Sequence, residues 1–95
     1  MAFVIDISSG WRRAVRSLTD AQVEEIAIRL HQLQEGFGKP HLHAGLGIRR
    51  LSKQVFEFRV SLDLRVVFLF LKPNIFRLEM CGTHDEVRRW LKGHS

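Results

Sequence analysis

Tyrosine is absent from the 95 residues, cysteine occurs once, and the longest apolar run is only Val66 to Leu71. Each shortage excludes something. Without tyrosine there is no phenol to serve as an acid. With Cys81 alone, neither an internal disulfide nor a cysteine-based zinc site can form, which fits a reducing cytoplasm. The apolar run is far too short to span a membrane. The start, Met1-Ala2-Phe3-Val4-Ile5-Asp6, lacks a basic region followed by a long apolar stretch, so no signal peptide is expected. No repeat or low-complexity tract interrupts the chain.

What is present fits one domain over residues 1–95, with 45% hydrophobic residues for a modest core. So short a chain is expected to be marginally stable alone and to gain from a partner that covers apolar surface. Lys and Arg number 15 against 10 Asp and Glu, a net charge of +5 that favours a polyanionic partner, nucleic acid first.

Phe3 to Ile7 reads as a short strand. Ser8 or Ser9 can cap a short helix through Trp11, Val15 and Leu18. Thr19-Asp20-Ala21-Gln22 fits a capping box, and Val23, Ile26, Ala27, Leu30 and Leu33 follow at helical spacing until Gly36 stops the helix. A Gly-rich loop, residues 36–47, carries His41 and His43. The second half alternates as a meander: Ile48–Leu51, Val55–Val60, Leu64–Leu71 and Ile75–Cys81. Its turns are at Ser52-Lys53-Gln54, Ser61-Leu62-Asp63 and Lys72-Pro73-Asn74. Thr83-His84-Asp85-Glu86 is a second capping box, opening a helix through Val87, Trp90 and Leu91. The expected class is α+β: a strand and two helices packed on a mainly antiparallel sheet of four to five strands, with a short C-terminal helix.

Three-residue turns set Arg59 opposite Arg65, and Arg65 opposite Cys81. The two-residue period then sorts the side chains. One face collects Phe56, Phe58, Val60, Leu64, Val66, Phe68, Phe70, Phe76, Leu78 and Met80, and should meet the N-terminal helices. The other collects Glu57, Arg59, Arg65, Arg77, Glu79 and Cys81 with Val67, Leu69, Leu71 and Ile75. These last four form an apolar patch with few local elements left to cover it, although the final helix can cover part. Such a patch suits a partner.

Two arginines directly opposite one another repel, and a bound phosphate relieves that cost. His84 follows Cys81 closely, so Arg59, Arg65 and His84 are expected to line one pocket. That set suits RNA cleavage by the ribose 2′-hydroxyl: histidine as acid or base, arginine for the charge developing on phosphorus, and no metal or cofactor. Taken singly, the residues have plainer readings. Arg59 can pair with Asp63 or Glu57 at the surface, and His84 can be a surface histidine. His41 and His43 have spacing for a metal, but nothing nearby completes such a site, so none is expected. Arg49, Arg50 and Lys53 form a basic hairpin usable on phosphates, and Lys39, His43 and Arg77 join them as candidate RNA contacts.

The order of elements resembles the RelE/ParE superfamily of toxins over essentially the whole chain. The resemblance is carried by His41-Leu42-His43-Ala44-Gly45, Phe56-Glu57-Phe58-Arg59-Val60, Asp63-Leu64-Arg65-Val66-Val67-Phe68 and Gly82-Thr83-His84-Asp85-Glu86-Val87. It implies a ribonuclease that cuts mRNA, often in the ribosomal A site, and an antitoxin that neutralises it. It implies that Arg65 binds phosphate and that His84 is the C-terminal catalytic residue. Arg59 falls where some members use a basic or histidine side chain, Asp63 matches an acid in one branch, and His41 falls near that branch's loop histidine.

The chain also departs from the pattern. Arg88 stands where many members have an aromatic, and can stack on a base or hold phosphate but cannot replace a tyrosine acid. Glu57 replaces a lysine found in some members. The antitoxin is expected to be acidic and to fold an amphipathic segment onto Val67, Leu69, Leu71 and Ile75. A gyrase-directed inhibitor of the ParE type and a non-toxic basic binding module are the alternatives. His84 together with Arg65 favours RNA.

Overall fold

The computed structural model describes residues 3–39 and 45–94. Its elements are β1 (Val4–Ile7), α1 (Ser9–Ala14) continued by a 3-10 turn (Val15–Ser17), α2 (Asp20–Gly36), β2 (Arg49–Arg50), β3 (Val55–Ser61), β4 (Leu64–Leu71), β5 (Ile75–Gly82) and α3 (His84–His94). The five strands form one sheet in the order β1-β5-β4-β3-β2. Only the β1–β5 pairing is parallel. The α+β class and the mainly antiparallel sheet are as expected. Among the described residues no helix is long and apolar enough to cross a membrane.

The helix starts follow from their caps. Ser8 Oγ accepts from the Trp11 amide at 3.1 Å and so satisfies a free donor of α1. Thr19 and Gln22 close the expected capping box at 2.9 and 3.1 Å. The second helix ends at Gly36, and Gly38, at φ +83°, takes the left-handed conformation that turns the chain away. Phe37 then reaches into the core, its ring centroid 4.9 Å from Phe70 and 5.1 Å from Phe76.

Arg59 does lie opposite Arg65. The turn beyond them is the pair Leu62-Asp63 rather than three residues, and a bulge between Arg59 and Ser61 absorbs the difference. Between β4 and β5 the expected register holds from Leu71↔Ile75 to Phe68↔Leu78. It then shifts by one, giving Val67↔Met80, Val66↔Cys81 and Arg65↔Gly82. The extra residue, Glu79, inverts the alternation beyond it. Cys81 therefore belongs to the main core and Met80 to the opposite face, reversing both assignments, and Gly82 rather than Cys81 is the neighbour of Arg65. The bulge sits against α1: Ser8 Oγ donates to the Glu79 carbonyl at 3.2 Å. A Cβ on Gly10 would come within 2.9 Å of that same oxygen.

The main core lies between the sheet and α1 and α2, around Trp11, Ile26, Leu33, Phe58, Val66, Phe68, Phe76 and Leu78. The other face is not open. Val87 of α3 packs on Val55 and Val67, with Leu51, Leu69, Met80, Trp90 and Leu91 around them. Val67 is fully buried. It is thus closed to any partner while α3 is seated, contrary to its place in the expected antitoxin patch. Leu69, Leu71 and Ile75 remain half-buried.

Candidate functional site

The short C-terminal helix builds the site. Gly82 ends β5 beside Arg65, and the chain turns at once into α3. Thr83 and Glu86 close the second capping box: the Thr83 amide donates to Glu86 Oε1 at 2.8 Å, and the Glu86 amide donates to Thr83 Oγ1 at 3.2 Å. Hydrogen bonds from Thr83, its amide first and its side chain second, hold the Glu86 carboxyl below the usual carboxylate range. They also fix His84 as the first helical residue. Val87, Trp90 and Leu91 anchor α3 on the sheet. His84, Arg88 and Leu91, spaced by four and then three, lie along one edge of the helix.

That edge faces β2 and β3 across a cleft of about 390 Å³. Arg49, Arg50, Leu51 and Glu57 line the far wall, with His84, Val87, Arg88 and Leu91 on the helix side. Three arginines and an imidazole border this concavity together with the Glu57 carboxylate, so cationic side chains outnumber the acid there.

The floor carries a buried ion pair. Glu57 is 2% exposed, and its Oε1 lies 3.1 Å from Arg65 Nη1. Arg49 Nη1 stands 3.9 Å from the same oxygen. Glu57 Oε2 and Arg65 Nε are buried without a hydrogen-bond partner among the described residues. Removing one member of such a pair costs about 3–5 kcal/mol, because the other charge is left uncompensated.

The expected site residues divide accordingly. His84, Arg88, Arg49 and Arg50 come together at the cleft. Arg65 lies beneath it, bonded to Glu57, with its side chain only 13% exposed. Arg59 is exposed opposite Arg65 and is not among the residues lining the cleft, so the expected three-residue pocket does not form as such. A Cβ on Gly47 would lie 3.6 Å from its Cβ, so the strand-entry loop passes over it. Asp63 is exposed at the tip of the β3–β4 hairpin. Lys53 borders a separate depression with Trp90 and His94. Lys39 is exposed just beyond α2.

Arg77 does not join the cleft. Parallel pairing sets it beside Asp6 of β1, and its Nε donates to Asp6 Oδ2 at 3.0 Å. His41 and His43 lie outside the described residues. Among the described residues no three His, Cys, Asp or Glu side chains are placed to hold a metal ion. The residue missed as a site member is Glu57. Its signal was its place, by alternation, on the same face as Arg59 and Arg65.

No protein-family model matches the chain, and no curated protein does. Solved structures do. A doubly substituted E. coli toxin RelE in the free state superposes with a TM-score of 0.73 at 16% identity, over 100% of both chains. The E. coli DinJ–YafQ toxin–antitoxin complex gives 0.70 at 16%, over 92% of this chain and 98% of that one. The archaeal RelE–RelB complex from Pyrococcus horikoshii gives 0.68 at 16%, over 87% and 96%. At such identities the likeness concerns architecture, and the architecture of this chain is that of the RelE and YafQ toxins.

Proposed function

We propose that the chain is the toxin of a toxin–antitoxin pair and acts as an endoribonuclease that cuts mRNA, on the ribosome, through the ribose 2′-hydroxyl and without a metal. The observation that carries this reading is the cleft between α3 and β2–β3, where His84 meets Arg49, Arg50 and Arg88 above Arg65. Cleavage needs proton transfer at the 2′-oxygen and at the departing 5′-oxygen, and cations for the charge that builds on phosphorus. Histidine serves the first need. Arginine stays protonated and serves the second. Asp63, at the hairpin tip, and His41, between α2 and β2, are proposed for the remaining proton transfer, and Arg59, Lys39, His43 and Lys53 for contacts along the RNA.

The proposed partner is an acidic antitoxin, in a cytoplasmic setting. RelB and DinJ occur as the antitoxins in complexes of the same architecture. Leu69, Leu71 and Ile75, half-buried, are the part of the expected patch that such a segment reaches with α3 seated.

The test is purified chain added to ribosomes programmed with mRNA. The expected result is cleavage by wild type and its loss in His84→Ala. Intact mRNA with wild type, or equal cleavage by both, removes the reading.

A further inference from the structure

The phosphate-binding role that the family resemblance gives Arg65 conflicts with its surroundings. Its guanidinium already holds an anion, Glu57, at 3.1 Å, and its side chain is 13% exposed. A phosphate approaching Arg65 would also approach the Glu57 carboxylate, and like charges at short range in a partly buried site repel strongly. Arg65 and Glu57 together add no net charge to the cleft.

The remaining arginines are not equivalent. Arg50 Nε is engaged by the carbonyls of Ser52 and Lys53, at 3.1 and 2.9 Å. Arg49 has a side chain 64% exposed and only a long 3.9 Å approach to Glu57. Arg88 is exposed on the opposite wall and makes no ion pair among the described residues. A phosphodiester in the cleft can therefore be gripped from both sides by two guanidinium groups that are free to turn toward it.

We propose that Glu57 removes Arg65 from the phosphate-binding set, that Arg49 and Arg88 hold the scissile phosphodiester, and that the Glu57–Arg65 pair is a charge-neutral floor beneath them. This rests on the ribonuclease reading and specifies its anion site.

The test is binding of a 2′-O-methyl oligoribonucleotide, which cannot be cut, followed by anisotropy across a salt series. Each phosphate contact to a single strand contributes a slope of roughly 0.7 in log affinity against log salt, or roughly fivefold in affinity at about 0.1 M salt. Arg49→Ala and Arg88→Ala are surface changes, and each should weaken binding by about that factor and flatten the slope by about that amount. The double variant Glu57→Gln/Arg65→Met removes the buried pair as a unit and should bind within about twofold of wild type, with an unchanged slope.

A double variant that folds yet loses binding as Arg49→Ala does overturns the proposal, as does wild-type binding by both single arginine variants. If the double variant does not fold, the two surface variants still decide. A wild-type chain that ignores the oligonucleotide removes the ribonuclease reading and this inference with it. Wild-type binding with the wrong variant pattern removes this inference alone.

Discussion

A methyl group added at Gly82 tests how α3, and with it His84, is held. The backbone there is not left-handed, so alanine is not strained by conformation. Its Cβ, however, would lie 2.9 Å from Glu86 Oε1, 3.1 Å from Glu86 Cβ and 3.2 Å from Glu86 Cδ. The carboxylate must leave, and the 2.8 Å bond from the Thr83 amide goes with it. Loss of a helix cap costs about 1 kcal/mol. Replacing glycine where the backbone permits contributes about 0.4–1 kcal/mol in the opposite direction, through the unfolded chain. Global stability should therefore barely change, while the first turn of α3 opens more often. A local loss of about 1 kcal/mol is roughly a fivefold rise in opening. Hydrogen exchange at the Val87 amide, bonded to the Thr83 carbonyl at 2.9 Å, reads this directly. Gly82→Ala should exchange there several times faster at an unchanged melting temperature, and Thr83→Ala, which loses the cap without that offset, should exchange faster and also melt lower. Wild-type exchange at Val87 in Gly82→Ala would refute the link between this contact and the seating of the helix.

Four further outcomes are expected. Val87→Ala removes two carbons from a side chain 3% exposed. At about 0.8 kcal/mol per buried carbon plus a cavity term, it should lower stability by about 2 kcal/mol, seen as a lower urea midpoint at constant slope. Val4→Ala, at 52% exposure, should stay within about 0.5 kcal/mol. Burial, aided by the charge of Glu86, pushes the Cys81 thiol up to about 11. Maleimide should therefore label the native chain at neutral pH far more slowly than the unfolded one, and equal rates would contradict its place in the core. Acid should weaken the fold in a defined window. Arg77 holds Asp6 below its ordinary 3.8, and the Thr83 cap holds Glu86 below its ordinary 4.5. Both groups bind more protons when unfolded, so their contribution is present above those values and is lost as pH falls through the lower folded ones. Glu86→Gln, which removes the titrating group, should show less of this loss in urea titrations below 4.5, and an identical acid profile would contradict it.

Features encoded within a few residues of one another were legible in the sequence. Both capping boxes could be read from a residue and its third neighbour. The two-residue alternation placed Phe58, Val66, Phe68 and Phe76 in one core. Arg59 lies opposite Arg65 as expected, but through a two-residue turn and a bulge in place of the three-residue turn expected. Features that depend on distant packing were not legible. The bulge at Glu79 exists where Ser8 and Gly10 press on β5 from some 70 positions away, and nothing near Glu79 announces it. That single inserted residue exchanged the faces of Met80 and Cys81. Arg77 resembled any other cation on its face until the parallel pairing of β1 brought Asp6 beside it. The site was half legible for the same reason. His84, Arg88, Arg49 and Arg50 were all candidates, but the capture of Arg65 by Glu57 depends on α3 closing that face of the sheet. Burial turns a surface pair into a fixed one.

The chemistry of the cut ends tests the account most directly. RNA incubated with the chain should yield fragments with a 2′,3′-cyclic phosphate on one side of the break and a 5′-hydroxyl on the other. His84→Ala should yield none. Ends carrying a 5′-phosphate and a 3′-hydroxyl, or undiminished cyclic phosphate from His84→Ala, would contradict 2′-hydroxyl attack at this cleft.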